Sequence, residues 1–171
     1  MIKKISYAKL VTAILFGWYF LGCAMDAQGW HFIDNFDLII HEAGHFIFIF
    51  FGQFIQILGG SLTQILVPFI FAGYFFLRRD YFSTSLLLMF VGYNIVNVSV
   101  YVGDSILMQL PLLGGDYVIH DWNYLLTNTH LLKYTQLLSS TAWGLGVFII
   151  ITGIVLGLRF AVREKKEVDF I

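Results

Sequence analysis

The chain alternates long apolar stretches with short polar breaks. Each stretch is long enough, or nearly so, for a helix that crosses the hydrocarbon core of a bilayer, which is about 30 Å thick. A helix also satisfies its own backbone hydrogen bonds there. The pattern therefore predicts an all-α, polytopic membrane helix bundle of about five transmembrane helices, forming a single domain over residues 1–171. The predicted spans are residues 10–25, 36–58, 62–77, 82–102 and 137–160.

The breaks between these spans carry residues that favour turns and loops. Residues 26–35 are polar, Gly59-Gly60-Ser61 predicts a tight turn, and residues 78–80 are charged. Residues 103–136 form the longest non-spanning stretch. Loops of this length in compact domains are usually functional.

Composition agrees with a lipid environment. The chain is 58% hydrophobic and 12% charged, whereas soluble domains are about 25% charged. Membrane lipid is therefore an expected partner, and we expect an integral, multi-pass membrane protein. The net charge of -1 gives no reason to expect a nucleic-acid partner, and the sequence leaves the oligomeric state open.

Both ends of the chain are basic, which complicates the orientation. Five spans would place the two ends on opposite sides of the membrane, although the positive-inside rule draws both to the cytoplasm. The first segment, which ends in Leu21-Gly22-Cys23-Ala24, also fits a cleaved lipoprotein signal. A retained membrane helix is the simpler account. The basic residues are Lys3, Lys4 and Lys9 at the start and Arg159, Arg163, Lys165 and Lys166 at the end.

Residues 41–45, His-Glu-Ala-Gly-His, carry the clearest chemistry. On a helix, residues four apart lie on the same face, so His41 and His45 can both reach one zinc ion. Glu42 is offset around the helix and can act as a general base on water held by the metal. Ionisable residues inside a membrane segment indicate function by default. The alternative is a buried polar cluster that bonds helices together.

A catalytic zinc site normally has three protein ligands and an open position, so a third ligand must come from elsewhere. We rank Asp104 first, because Asn97, Tyr101 and Asp104 share one face of the fourth predicted helix. His120 and Asp121 in the long loop are the alternates, and His120 is the better zinc donor chemically.

Further polar residues are candidates for supporting or substrate-binding roles. These are Asn94, Asn97 and Asp116. Whichever acid is not a ligand can hold a ligating imidazole in the correct tautomer. For the two asparagines, hydrogen bonding between helices is the alternative interpretation.

This arrangement resembles the site-2-protease clan of intramembrane zinc metallopeptidases and its small bacterial relatives. The resemblance covers about residues 36–105 and rests on the His-Glu-x-Gly-His form, a Gly-containing stretch after it, and a later helix with Asn followed by Asp. It implies a zinc ion held by His41, His45 and Asp104, with Glu42 as the base, in a bacterial cytoplasmic membrane. Ser105 departs from the pattern, because the larger family has glycine there.

The resemblance also bears on the segment after the motif. Residues 53–60 are expected either to form an extended edge, as part of a short hairpin at membrane level that pairs with a substrate strand, or to be the end of the second helix. The predicted function is zinc-dependent hydrolysis of peptide bonds in or near membrane segments of substrate proteins. The alternatives are a membrane zinc hydrolase that acts on lipid or amide head groups, and a non-enzymatic protein with a structural metal or polar cluster.

Overall fold

A computed structural model describes residues 3–110 and 119–164. Within these residues the fold is a bundle of α-helices with one short strand at each end of the described chain. The helices are α1 (Tyr7–Met25), α2 (Asp34–Ile47), α3 (Gln53–Leu77), α4 (Tyr81–Gly103), α5 (Asp121–Asn128) and α6 (Thr135–Phe160). The strands are β1 (Lys3–Ile5) and β2 (Val162–Glu164), and single 3-10 turns occur at Ile49–Phe51 and Leu132–Tyr134.

Four helical segments of the described chain are long and apolar enough to cross a membrane, not five. They are α1, α3, α4 and α6, the last extended by the 3-10 turn before it. The apolar stretch 36–58 is interrupted at Gly52, whose φ of 86° is a left-handed conformation that favours glycine. Its first part, α2, has 14 residues. At about 1.5 Å per residue α2 is about 21 Å long, which is too short to span.

The helices α4 and α6 pack closely because glycines face each other. A Cβ atom added to Gly92 would lie 2.5 Å from the carbonyl oxygen of Gly146, and one added to Gly146 would lie 2.6 Å from the carbonyl oxygen of Gly92. Small residues at such crossings let helix backbones approach in a membrane. The core beside this crossing contains Phe20, Met89 and Ile150.

The helices α2 and α3 make a second glycine crossing, next to the motif. A Cβ added to Gly44 would clash with the carbonyl oxygen of Gly59, and one added to Gly59 would lie 2.9 Å from the carbonyl oxygen of Gly44. The prediction of a turn at 59–61 is therefore wrong, because these residues are buried inside α3. The predicted extended edge or hairpin at 53–60 is also wrong, since this segment is the first two turns of α3.

The two ends of the described chain lie side by side. Strands β1 and β2 pair antiparallel, with Lys3 opposite Glu164 and Ile5 opposite Val162. If these four helices cross the membrane, the chain returns to the side on which it started. Five predicted spans placed the two basic ends on opposite sides of the membrane, against the positive-inside rule, and an even number of spans removes this conflict.

Candidate metal centre

The two motif histidines lie one turn apart on α2, and both face the first residue of α5. The Nε2 atoms of His41 and His45 lie 3.0 and 3.2 Å from Oδ2 of Asp121. His41 and Asp121 are buried, and His45 is half-buried. One ligand atom from each of the three residues lies within 4.8 Å of the others. His41 and His45 are one helical turn apart, whereas Asp121 lies 76 to 80 residues further along the chain. The structure therefore brings distant residues together at one point.

The other ring nitrogen of each histidine faces an oxygen atom. His45 Nδ1 lies 2.9 Å from the backbone carbonyl oxygen of Gln56, which can only accept a hydrogen bond, so Nδ1 carries the proton. His41 Nδ1 lies 3.2 Å from Oε1 of Gln64. An amide oxygen only accepts a hydrogen bond, so His41 Nδ1 also carries a proton.

A chain of directed hydrogen bonds fixes the orientation of the Gln64 amide. Asp34 Oδ1 accepts from Asn97 Nδ2 at 3.0 Å, which turns Asn97 Oδ1 toward Gln64. Gln64 Nε2 donates to that oxygen at 2.8 Å, which leaves Gln64 Oε1 facing His41. A carboxylate only accepts hydrogen bonds, so Asp34 sets the direction of each hydrogen bond in this series. His41 is therefore held with a proton on Nδ1 and an unprotonated Nε2.

Three electron-pair donors thus converge on one point: two imidazole Nε2 atoms and one carboxylate oxygen. Without a cation between them these atoms would repel each other, so the site requires either a proton or a metal ion. In a tetrahedral zinc site with metal–nitrogen distances of about 2.0–2.1 Å, neighbouring ligand atoms lie about 3.3 Å apart. The separations of 3.0 and 3.2 Å are close to this value. The donor set of two histidines and one aspartate fits zinc.

The mutual contacts also shift the proton affinities of the metal-free site. The hydrogen bond to Asp121 raises the pKa of His45 above its usual value, although burial opposes this. Burial raises the pKa of Asp121, but hydrogen bonds from His41 and His45 outweigh it, so the net shift is downward. A positive charge in the cluster is therefore favoured, as the geometry requires.

Three consecutive residues anchor the short helix α5 to three other helices. His120 Nε2 lies 3.2 Å from Oδ2 of Asp104 at the end of α4. Asp121 contacts the histidines of α2, and Trp122 Nε1 donates to Ser61 Oγ of α3 at 3.0 Å. These contacts hold Asp121 in place.

The structure places the alternate Asp121, and not the first-ranked Asp104, against the two motif histidines. Asp104, ranked first, accepts hydrogen bonds from the backbone of Gln109 and Leu110, each at 2.9 Å, and faces His120. His120 Nδ1 accepts from the backbone N–H of Asn123 at 3.2 Å, so its Nε2 carries the proton and donates to Asp104. Asp104 and His120 thus bind each other and not the histidine pair.

The remaining predicted residues lie as follows. Glu42 is exposed and lines a cavity of about 270 Å³ that reaches His41. Asn97 accepts a hydrogen bond from Gln64 and so helps to orient Gln64 toward His41. Asn94 Nδ2 instead donates to the Phe90 carbonyl oxygen of its own helix at 3.0 Å. Asp116 lies outside the described residues.

Sequence reasoning missed three residues of this site. Asp34 and Gln64 support His41, and Gly60 leaves room for both imidazoles. A Cβ added to Gly60 would lie 2.5 Å from His41 Nε2 and 2.7 Å from His45 Nε2. Asp34 offered a signal, because it is a carboxylate at the start of the motif helix, two turns before His41.

Comparisons of the chain with protein families, curated proteins and solved structures find no match. The resemblance of residues 41–45 to intramembrane metallopeptidases therefore stays a prediction.

Proposed function

We propose that this protein is a membrane-embedded zinc metallopeptidase that hydrolyses peptide bonds in or near membrane segments of other proteins. The observation that carries the proposal is the convergence of His41 Nε2, His45 Nε2 and Asp121 Oδ2 beside a cavity lined by Glu42. When bound, zinc would supply a Lewis acid and lower the pKa of a water molecule that it holds.

The residues of the chain have separate roles in this proposal. His41, His45 and Asp121 hold the metal, and Gln64 and the Gln56 carbonyl keep both imidazoles in the required tautomer. Glu42 takes a proton from the attacking water and passes it to the amine nitrogen of the leaving peptide, so that water is added across the C–N bond. Asn97 and Asp34 are positioning residues, because they act through Gln64.

One observation favours an open, catalytic site over a closed, structural one. Structural zinc sites normally have four protein ligands, and catalytic sites have three. Among the described residues the cluster has three members, His41, His45 and Asp121. His120, which would complete a cage, is engaged with Asp104 instead.

The test is cleavage by the purified protein in lipid nanodiscs, with zinc present and a panel of single-span membrane peptides as substrates. Fragments are identified by mass spectrometry. We expect the wild-type protein to cleave at least one peptide. Glu42→Gln should keep bound zinc but lose cleavage by a factor of at least about 100, within the usual contribution of a general base. His41→Ala should lose both zinc and cleavage.

Two results would contradict the proposal. The first is undiminished cleavage by Glu42→Gln. The second is deacylation of the nanodisc lipids with every peptide left intact, which would favour a zinc hydrolase of lipid head groups.

A further inference from the structure

Asp37 is a buried carboxyl group without a partner. It lies four residues before His41 on α2 and is 2% exposed. Neither of its oxygen atoms has a hydrogen-bond partner in the described part of the chain. Burying an unpaired carboxylate is unfavourable, so Asp37 requires either a proton or a cation.

A second acceptor beside Asp37 also has no donor. Asn94 packs next to Asp37 from α4 and is fully buried. Its Oδ1 has no hydrogen-bond partner among the described residues. The neighbouring acid Asp34 differs, because Oδ1 accepts from Tyr93 Oη at 2.5 Å and Oδ2 accepts from the His31 backbone N–H at 2.6 Å. Both oxygen atoms of Asp37 and Oδ1 of Asn94 therefore lack a donor, whereas both oxygen atoms of Asp34 have one.

Asp37 lines the same cavity that reaches His41. Asp34 and Glu42 also line this cavity, and the described residues around it include no lysine or arginine. Its volume of about 270 Å³ is near the lower end of the range for small-molecule sites and is large enough for a single side chain. The cavity thus has three acidic side chains, and the described residues that line it include neither lysine nor arginine to balance Asp37.

We infer that this cavity binds a primary ammonium group carried by the substrate, with Asp37 as its counter-ion. An ammonium group has three N–H donors, which matches a set of acceptors that lack donors. Calcium and magnesium need about six or more oxygen ligands, and Asp34 is already occupied. Trp30 and Leu38 in the cavity wall suit the aromatic and alkyl contacts of an alkylammonium chain.

The inference rests on the proposed function for its role in substrate choice. Four residues of α-helix rise about 6 Å, so the ammonium group would lie about one helical turn from His41. The enzyme would then favour peptide bonds with a lysine side chain or a free amino terminus at that distance.

Ligand binding tests the inference without any cleavage. The probe is n-butylammonium chloride, added to the metal-free, full-length protein in detergent and followed by tryptophan emission and by the midpoint of thermal unfolding. n-Butanol, sodium chloride and calcium chloride at equal concentration are the comparators. We expect saturable binding of n-butylammonium alone.

Asp37→Asn should weaken n-butylammonium binding at least tenfold. This variant is expected to fold, because the amide keeps the shape and removes the buried charge. Asp26→Asn is the matched control, since it removes an acid that is exposed and outside the cavity lining. It should change the dissociation constant by less than twofold. Equal binding by Asp37→Asn and wild type, or the same saturable response to n-butanol or to the inorganic salts, would overturn the inference.

The result is separable from the proposed function. His45→Ala should lose zinc but keep n-butylammonium binding. If no peptide is ever cleaved and n-butylammonium still binds through Asp37, the peptidase proposal fails alone. If the protein binds zinc and cleaves peptides but does not bind n-butylammonium, this inference fails alone.

A cleaved peptide then distinguishes the two sources of the ammonium group. Replacing lysine by norleucine, or acetylating the amino terminus, should lower kcat/KM for the wild type to the level of Asp37→Asn. An unchanged kcat/KM after both modifications would contradict the inference.

Discussion

The protonation state of two imidazole rings decides whether this site can hold a metal. His45 is fixed by a backbone carbonyl, whose position depends only on the path of α3. His41 depends on the side chain of Gln64, which is itself oriented by Asn97 and Asp34. Mutating a residue that orients a ligating histidine in this way usually lowers metal affinity about 10–100-fold.

Replacing Gln64 tests this shell. Gln64→Leu removes the acceptor for His41 Nδ1 while keeping the size of the side chain, so we expect zinc affinity to fall about 10–100-fold. Competition with a fluorescent zinc chelator measures the change. Gln56→Leu is the matched control on the same helix, because His45 contacts the backbone of Gln56 and not its side chain. An equal loss in both variants, or no loss at Gln64, would contradict the role given to the Gln64 amide.

At this scale the sequence was informative only where residues are close along the chain. The spacing of His41 and His45 was sufficient to predict that both rings share a helix face. The choice between Asp104 and Asp121 depended on the docking of α5, 80 residues after His41. Periodicity carries no information about such a contact. Gln64 was missed because a glutamine in an apolar helix gives no sign of which residue it faces.

At the scale of helices, glycine determines how closely the site can be assembled. Gly44 and Gly59 bring α2 against α3, and Gly60 lies next to the Nε2 atoms of His41 and His45. A pair of glycines followed by serine also predicts a turn in soluble proteins. In an apolar helix the same residues instead permit close helix packing, which is why the predicted turn at 59–61 was wrong and the break fell at Gly52.

Gly60→Ala should disrupt the metal site and not the bundle. The added methyl group would lie under 3 Å from both Nε2 atoms, so the rings must move away from their shared point. We expect at least a tenfold loss of zinc affinity, measured by the same competition assay. Gly73→Ala on the same helix has nothing within 4 Å of its added Cβ. It should keep zinc affinity and leave stability unchanged or raise it by up to about 1 kcal/mol. Unchanged zinc affinity in Gly60→Ala would contradict this packing.

At the scale of the whole molecule, the number of spans decides whether the two chain ends lie on the same side of the membrane. Four spans would place both chain ends on one side of the membrane. Contacts near the ends of the helices agree with this: Lys9 Nζ lies 4.8 Å from the ring centroid of Phe82, and Tyr81 stacks on Phe160 at 5.3 Å. Arg78 and Arg79 precede α4 at the same end. The pattern of apolar stretches was therefore enough to predict the long helices and the basic residues at their ends. The number of spans could not be predicted, because it depended on one glycine in the middle of an apolar stretch.

The positive-inside rule then predicts that both termini are cytoplasmic. Fusions of green fluorescent protein to either terminus in a bacterial host should fluoresce, and alkaline phosphatase fusions at the same positions should be inactive. An active phosphatase fusion at the C-terminus would contradict four spans with basic ends inside. The candidate metal centre lies near the start of α3 and the end of α4, away from the chain ends. It would then lie toward the outer side of the membrane.

The ligand set is tested most directly by measuring zinc bound to the purified wild-type protein, Asp121→Asn and Asp104→Asn, after circular dichroism has shown that all three are folded. We predict about one zinc ion per chain in the wild type, in agreement with a single three-ligand site. At limiting zinc, Asp121→Asn should lose the metal and Asp104→Asn should keep it. Zinc retained by Asp121→Asn but lost from Asp104→Asn would contradict the proposed ligand set.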